Sequence, residues 1–319
     1  MLEKTKMILS IARNIGIISK KEDKILEEYL DKILSIARNI GIIRYLEDRI
    51  LDIYLEGGHI CILEIDGHRI SITRTNNKNI VSIGYMGYEL KFEDMDFFFE
   101  RFVPISGYLQ HYVPKSGDVV IDGGAFVGFF SIIASKLVGP SGKVLSFEPD
   151  PKCYDMLVRN INLNGADNII PLRLGLYNHD DILSFHAGGG PGSTLQKGTF
   201  KGGSEIEIEV VSLDNELLRH HINGVDFIKL DIEGSELFCI EGSLRLLSQC
   251  DVKLAIASYH VVDGKQTCWD VERKMSEIGY ESWTEYTSHL TTYAKKVVLS
   301  RTGCVNPGFP PNTHKERLN

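Results

Sequence analysis

One stretch of the chain, residues 118–151, constrains the fold more than any other. It begins with an apolar run that ends in Asp122, passes through a tight Gly-Gly turn at 123–124, and reaches Gly128, where a helix is expected to begin. A second apolar run then ends in Glu148. A strand, a glycine turn, a helix and a second strand ending in an acid are typical of the first βαβ half of a doubly wound nucleotide-binding sheet.

The residue types in this stretch favour one class of ligand. Glycine has no Cβ, so Gly124 and Gly128 allow the backbone to approach a ligand, and Glu148 can accept two hydrogen bonds from a ribose diol. The D-x-G-x-x-x-G spacing differs from the G-x-G-x-x-G spacing of a pyrophosphate-binding turn. S-adenosyl-L-methionine has no phosphate, and its cationic sulfonium suits the acid at Asp122. We therefore predict a site for this methyl donor; a nicotinamide or flavin site and a turn without a ligand are the alternatives.

Length and composition exclude several classes of protein. The chain has 319 residues, of which 43% are apolar and 24% charged, as is ordinary for a soluble globular protein. A net charge of −8 argues against nucleic acid as a partner, and no apolar stretch is long enough to predict a membrane span. The six cysteines form no C-x-x-C pair, which predicts reduced thiols in a cytoplasmic protein.

The N-terminal part contains an internal repeat. The run ILSIARNIGII occurs twice, at 8–18 and at 33–43, with an offset of 25 residues. Apolar residues recur at helical spacing in both copies. We expect residues 1–57 to form a helical arm, which either packs on the rest of the chain or mediates homo-oligomer or partner contacts.

The remaining chain divides into three predicted segments. Residues 58–112 contain short alternating runs typical of hairpins, then a phenylalanine-rich run at 96–102 that predicts a helix, so they are expected to form a small β and helix linker region. Residues 113–303 alternate strands and helices, which predicts an α/β class domain built on a doubly wound, seven-stranded Rossmann-like sheet. Residues 304–319 predict a flexible tail. The strands are predicted near 118–122, 143–148, 168–174, 225–231, 252–258, 280–286 and 293–299, the helices near 127–138, 151–163, 235–247 and 265–278, and an extra hairpin at 181–186 and 205–212.

A second signature lies at 226–236, where a strand ends in Asp231 and a turn follows at Gly234. In an open α/β sheet, ligands bind beyond the carboxyl ends of the strands. Asp122, Glu148 and Asp231 all end strands, so we expect the three acids to converge on one crevice. For Glu233 and Glu236, a functional role and a simple preference for a helix N-terminus remain equally open.

Together these motifs resemble the FkbM-type family of S-adenosylmethionine-dependent methyltransferases. The resemblance covers roughly 104–300 and depends on VVIDGGAFVGFFS at 119–131, FEPDP at 147–151, the paired asparagines Asn160 and Asn164, and FIKLDIEGSE at 227–236. It implies that 113–303 is a methyltransferase domain acting on hydroxyls of sugars, glycans or other small molecules. It also implies a set of cofactor-binding residues, with 173–177 near the adenine. The set comprises Asp122, Gly123, Gly124, Ala125, Gly128, Glu148, Pro149, Leu174 and Asp231.

The catalytic residues that we predict are Asp231 and His260. Transfer to a hydroxyl requires removal of its proton, and a neutral histidine near pH 7 is a natural base. Many family members carry an acid shortly before this histidine, whereas here the run is Ala-Ser-Tyr-His at 257–260. Asp231 is the second candidate, either as the base or as the group that orients the acceptor. A magnesium-like or manganese-like ion held by Asp231 with Glu233 or His260 is an alternative. The site that we predict works without a metal.

Three other functions remain alternatives to O-methylation. An N-methyltransferase acting on protein or RNA is one, although the Asn-Pro-Pro-Tyr type of motif is absent after the fourth strand. A NAD-dependent oxidoreductase would need a pyrophosphate-binding turn. A non-catalytic scaffold would retain the fold and use the N-terminal arm for assembly.

Overall fold

The computed structural model describes residues 61–65, 68–74, 80–93, 104–188, 204–262, 264–286 and 289–297. The predicted helical arm at 1–57, the helix at 96–102 and the tail at 304–319 lie outside the described residues.

The described chain begins with an antiparallel sheet of four strands in sequential order. The hairpins predicted here are confirmed, and a fourth strand follows them. The strands are β1 (Cys61–Ile65), β2 (His68–Arg74), β3 (Ile80–Tyr85) and β4 (Tyr88–Glu93). Met86 and Gly87 both have positive φ, 51° and 83°, so they form the type of two-residue turn that matches the twist of the strands.

The main sheet has seven strands and confirms the predicted α/β class. Their order is β15-β16-β12-β11-β5-β6-β7, and β16 runs antiparallel to its neighbours. The chain leaves β5 first toward β6 and later toward β11 on the other side, so the topological switch point lies at the carboxyl end of β5. The strands are β5 (Val119–Gly123), β6 (Lys143–Phe147), β7 (Ile169–Leu172), β11 (Phe227–Leu230), β12 (Lys253–Ala257), β15 (Tyr280–Tyr286) and β16 (Leu290–Lys296). A separate short ribbon of β13 (Val261–Val262) and β14 (Lys265–Gln266) lies between β12 and β15 in the chain.

Helices cover both faces of this sheet and enclose two apolar cores. One core lies under α1, α2 and α3 and includes β3 and β4; the other lies under α4 to α7. None of the described helices is both long and apolar enough to cross a membrane. The helices are α1 (Pro104–Tyr108), α2 (Phe129–Val138), α3 (Pro151–Asn164), α4 (Leu213–Arg219), α5 (Glu236–Glu241), α6 (Leu244–Gln249) and α7 (Cys268–Glu277).

Helix α3 shows how local sequence sets an element. Asp150 caps its N-terminus by accepting hydrogen bonds from the backbone of 152 and 153, Pro151 follows, and Gly165 ends the helix with φ of 54°. Asn160 and Asn164 lie one turn apart on the same face. Their side chains accept from the backbone N–H groups of β4 at 2.9 Å each, so this pair joins the N-terminal sheet to the α/β domain.

The predicted helix at 235–247 is wrong as a single element, because α5 and α6 are separated at Gly242. A Cβ on Gly242 would lie 2.1 Å from the backbone oxygen of Tyr177, so the break coincides with a glycine that lets the chain pass close to a neighbouring strand. That strand, β8 (Gly175–Tyr177), pairs with a hairpin of β9 (Asp181–Ala187) and β10 (Ser204–Ser212). The hairpin confirms the prediction, whereas β8 and the short helix α4 were not predicted.

Candidate functional site

The glycine turn after β5 contacts both neighbouring strands. Gly124 and Ala125 donate backbone hydrogen bonds to Phe147 of β6, and Asp231 after β11 donates to Gly123 at 3.0 Å. Gly124 has φ of 72°, and a Cβ there would lie 1.9 Å from the backbone oxygen of Asp231. Glycine is therefore required here because the two signature segments are in contact. From the sequence, we had expected it to be required because a ligand approaches the backbone.

Gly128 also owes its identity to packing within the chain. Its φ is 96°, and a Cβ would lie 2.8 Å from a methyl group of Leu157. Leu157 belongs to α3, so the absent side chain allows α2 and α3 to pack closely at the start of α2.

Asp122 is fully buried and paired with a lysine that the sequence argument missed. Lys229, in the centre of β11, lies 3.0 Å from Asp122 Oδ1 and donates to the backbone oxygens of Gly123 and Gly124 at 3.1 and 2.7 Å. Ser131 donates to Asp122 Oδ2 at 2.5 Å. From the sequence we predicted that the Asp122 carboxylate faces the positive charge of a cofactor. In the structure it points into the protein and stabilises the turn. A lysine between apolar residues of a buried strand was the available signal.

Glu148 lies on the other side of the turn, just after β6. Its oxygens Oε2 and Oε1 accept from the backbone N–H groups of Phe126 and Asp150 at 2.8 and 2.9 Å. Burial raises the pKa of Glu148 to about 7, although these two hydrogen bonds lower it. Phe126 adopts φ of 52°, a conformation that non-glycine residues rarely take. Each Glu148 oxygen has a further lone pair, so the carboxylate can also accept from a diol.

Asp231 receives hydrogen bonds from two tyrosines that the sequence did not identify. Tyr108 of α1 donates to Oδ2 at 2.9 Å, and Tyr259 donates to Oδ1 at 3.2 Å. Burial and the nearby carboxylate raise the pKa of both phenols, so both stay neutral donors. Burial would raise the pKa of Asp231, but Lys229 and His260 lower it, so the carboxylate is ionised.

His260 lies among three carboxylates. Its Nε2 is 3.6 Å from Asp231 Oδ1 and 3.4 Å from Glu233 Oε2, and its Nδ1 is 3.2 Å from Glu236 Oε1. Burial would lower the pKa of His260, but Glu236, Glu233 and Asp231 raise it to about 11. Despite these short distances, neither ring nitrogen forms a well-oriented hydrogen bond.

A second histidine, His289, lies next to the two tyrosines. Its ring centroid is 5.2 Å from that of Tyr108 and 4.9 Å from that of Tyr259, in edge-to-face contacts. Burial lowers its pKa, so this ring is neutral near pH 7. No recognised sequence motif surrounds His289.

The remaining predicted site residues follow strands that end at the same edge of the main sheet. Ala125 is buried in the turn, Pro149 follows Glu148 and is half-buried, and Leu174 is half-buried against the second apolar core. The switch point thus has a turn held by Asp122, an acid on one side at Glu148, and an acidic and aromatic cluster on the other.

Comparison with known proteins identifies the family. Residues 122–282, about half of the chain, match the family model described as the methyltransferase FkbM domain. The methyltransferase sdnD of Sordaria araneosa is 30% identical over 158 residues, which cover 40% of this chain and 61% of that relative. The chain therefore spans less than two thirds of that relative's length.

Solved structures give more distant likenesses. The methyltransferase FkbM of Methylobacillus flagellatus KT is 21% identical, with a TM-score of 0.45 over 60% of this chain and 48% of that one. Fibrillarin of Aeropyrum pernix, in complex with natively bound S-adenosyl-L-methionine, is 12% identical, with a TM-score of 0.42 over 74% of this chain and 99% of that one. On the strength of the sequence match over 122–282, this chain belongs to the FkbM methyltransferase domain family.

Proposed function

We propose that the protein is an S-adenosylmethionine-dependent methyltransferase that methylates a hydroxyl of a sugar, glycan or other small molecule. The observation that carries the proposal is the contact between Gly124 and Asp231. It joins the turn beside Glu148 to the second acidic signature, which supports a ribose-binding role for Glu148 and a substrate-facing role for Asp231 at one switch point.

The donor side has the chemistry that the cofactor requires. Glu148 is buried, and its two backbone donors leave one lone pair on each oxygen for the two ribose hydroxyls. Gly123, Gly124, Ala125 and Gly128 would shape the methionine end, with Asp122 acting through the turn that it holds. Pro149 and Leu174 would line the adenine end. S-adenosylmethionine supplies a methyl group already activated by its sulfonium, so positioning of the acceptor becomes the main task of the protein.

On the acceptor side, Asp231 is the group that we propose to orient the hydroxyl and receive its hydrogen bond. Tyr108 and Tyr259 hold both carboxylate oxygens in place. His260 was the predicted base, but its ring lies between carboxylates, so we assign it to positioning Asp231 instead. His289 is the neutral histidine beside this group and the candidate to accept the proton.

The alternatives have less support. A nicotinamide dinucleotide would place a pyrophosphate at the turn, where Lys229 already donates to the backbone and to Asp122. A scaffold would have no need for three buried or half-buried carboxylates around His260. N-methylation is distinguished from O-methylation by the product. Assembly through residues 1–57 and a cytoplasmic location stay predictions from the sequence.

Calorimetric titration tests the cofactor. We expect S-adenosylmethionine to bind with micromolar affinity, NAD to give no heat, and Glu148→Ala to weaken the binding at least tenfold, because two ribose hydrogen bonds to a charged acceptor are lost. Glu281→Ala is the matched control, since this acid pairs with Lys295 at an exposed position. Binding of NAD in place of S-adenosylmethionine would overturn the proposal, and silence toward both would favour the scaffold.

Methyl transfer tests the acceptor class. The protein is incubated with S-adenosylmethionine carrying a labelled methyl group and with sets of sugars, polyols, peptides and RNA. We expect label in the hydroxyl compounds, as an ether that resists mild base. Label only in peptide amines or RNA would establish the N-methyltransferase alternative.

A further inference from the structure

We propose that Asp231, Glu236 and His260 bind a divalent transition-metal ion of the Mn²⁺ class. One carboxylate oxygen from each acid and one ring nitrogen lie within 4.8 Å of one another. The three residues come from two neighbouring strand ends and the first turn of α5, so the main sheet itself sets their spacing.

The donor set defines the type of ion. Two carboxylates and one imidazole suit Mn²⁺, Fe²⁺ or Zn²⁺, whereas an all-oxygen set would favour Mg²⁺ or Ca²⁺. Glu236 is already oriented, because its Oε1 accepts from the backbone N–H groups of Ile232 and Gly234 at 3.0 and 3.3 Å. Such hydrogen bonds hold a ligating carboxylate in position.

An independent observation is the lack of hydrogen-bond partners for buried atoms at this place. Glu236 is fully buried and its Oε2 has no hydrogen bond within the described part of the chain. His260 is 9% exposed, and neither ring nitrogen has one. Leaving such a group unsatisfied costs about 1–3 kcal/mol, and native structures rarely retain three such atoms together. A bound cation would satisfy a carboxylate oxygen and a ring nitrogen at once.

The local charge points in the same direction. Asp231, Glu233 and Glu236 surround the single imidazole of His260. The nearby ammonium of Lys229 is committed to Asp122 and to two backbone oxygens. Tyr108 and Tyr259 contribute only neutral hydroxyls. A divalent cation offsets this excess of negative charge, whereas a protonated His260 offsets only one charge.

The role of the ion rests on the proposed function, although its binding does not. A cation at Asp231 would lie beside the methyl donor, where it could polarise the acceptor hydroxyl and lower its pKa. The ion would thus help the acceptor hydroxyl to lose its proton, which His260 cannot do because its ring lies between carboxylates.

The test is a titration of the full-length, metal-stripped protein with Mn²⁺, with free Mn²⁺ followed by electron paramagnetic resonance. We expect one ion per chain. Glu236→Gln and His260→Gln should weaken the affinity at least about tenfold. Glu241→Gln is the matched control, because it removes a carboxylate from the same helix that pairs with Lys274 instead. Circular dichroism verifies that each variant is folded.

Spin-echo measurement of nitrogen coupling on the wild-type complex keeps the test decisive if a variant fails to fold. We expect coupling from one imidazole nitrogen, lost in His260→Gln. No binding by the wild type, no imidazole coupling, or full affinity in both folded variants would overturn the proposal. S-adenosylmethionine binding is measured on the same samples. Its presence without Mn²⁺ binding refutes the metal site alone, and the reverse result refutes the methyl-donor site alone.

Discussion

The two sides of the switch point differ in how their charges are satisfied. On the donor side, Asp122 pairs with Lys229, and Glu148 accepts one backbone hydrogen bond on each oxygen. On the acceptor side, three carboxylates surround His260, and both of its ring nitrogens lack well-oriented hydrogen bonds. The donor-side carboxylates thus have a cation or backbone donors within the chain, whereas the acceptor side leaves more negative charge than its one imidazole can offset.

This difference follows from the tasks that we propose for the two sides. A cofactor with one fixed structure is bound best by a preorganised site, since ordering groups during binding weakens affinity. The acceptor side must meet a substrate and, in our inference, an ion. Carboxylates gathered around one imidazole whose ring nitrogens lack well-oriented hydrogen bonds are ready to bind them, at some expense in stability.

The largest effect is expected from Gly124→Ala. The Cβ would overlap the backbone oxygen of Asp231 and impose a left-handed conformation on alanine, so we expect a loss of about 4 kcal/mol in the free energy of unfolding. Gly165→Ala is the control, because Gly165 also has positive φ but no atom lies within 4 Å of its Cβ. It should cost about 1 kcal/mol. Equal losses in urea denaturation would show that backbone conformation alone, and not the contact between the two sides, requires Gly124.

Lys229→Met tests whether the donor side depends on its internal ion pair. The substitution leaves Asp122 buried without its cation, so we expect a loss of about 3 kcal/mol in unfolding free energy, partly recovered when Asp122→Asn is added. Lys253→Met, which removes a half-exposed lysine paired with Asp251, should cost less than about 1 kcal/mol. A loss at Lys229 no larger than at Lys253 would show that the buried ion pair does not stabilise the donor side.

Because of the raised pKa of Glu148, we expect the stability of the protein and its affinity for the cofactor to change in opposite directions with pH. Its folded pKa of about 7 exceeds the ordinary 4.5, so the folded state holds the proton more tightly and stability falls by about 3 kcal/mol as pH rises through this window. Glu148→Gln should abolish this slope. Affinity for S-adenosylmethionine should rise about tenfold from pH 6 to pH 8, because the ionised carboxylate is the stronger acceptor. Calorimetry that gives equal affinities at both values would contradict the assignment.

The smallest effects are expected at the two tyrosines. Tyr108→Phe removes a buried donor at 2.9 Å from Asp231 and should lower the rate of methyl transfer about fivefold, which corresponds to about 1 kcal/mol. Tyr259 is 37% exposed, and its hydroxyl lies 3.2 Å from Asp231 Oδ1, so water can replace it. Tyr259→Phe should therefore lower the rate of methyl transfer less than about twofold. The reverse order would mean that Tyr259 contacts the acceptor directly.

Several elements could be predicted because their causes are local. The cap at Asp150, the end of α3 at Gly165 and the hairpin of β9 and β10 follow from neighbouring residues, and the helix near 151–163 and the hairpin at 181–186 and 205–212 were predicted near their observed positions. The failure at Gly242 shows the limit of that approach. Its φ of −73° is compatible with a helix, and the close approach of Tyr177, which requires glycine at this position, is a contact that the local sequence does not reveal.

The α/β class, the switch point and the acids at the strand ends could be read from the amino-acid sequence, because strand periodicity, glycine turns and strand-end acids are properties of short segments. Which charges are paired depends instead on contacts between distant parts of the chain. Lys229 meets the turn across 106 positions of the chain at Gly123, and Tyr108 meets Asp231 across 123. Contacts at such separations depend on the order of strands in the sheet, and burial then decides which carboxylates are neutralised within the chain and which still require a partner.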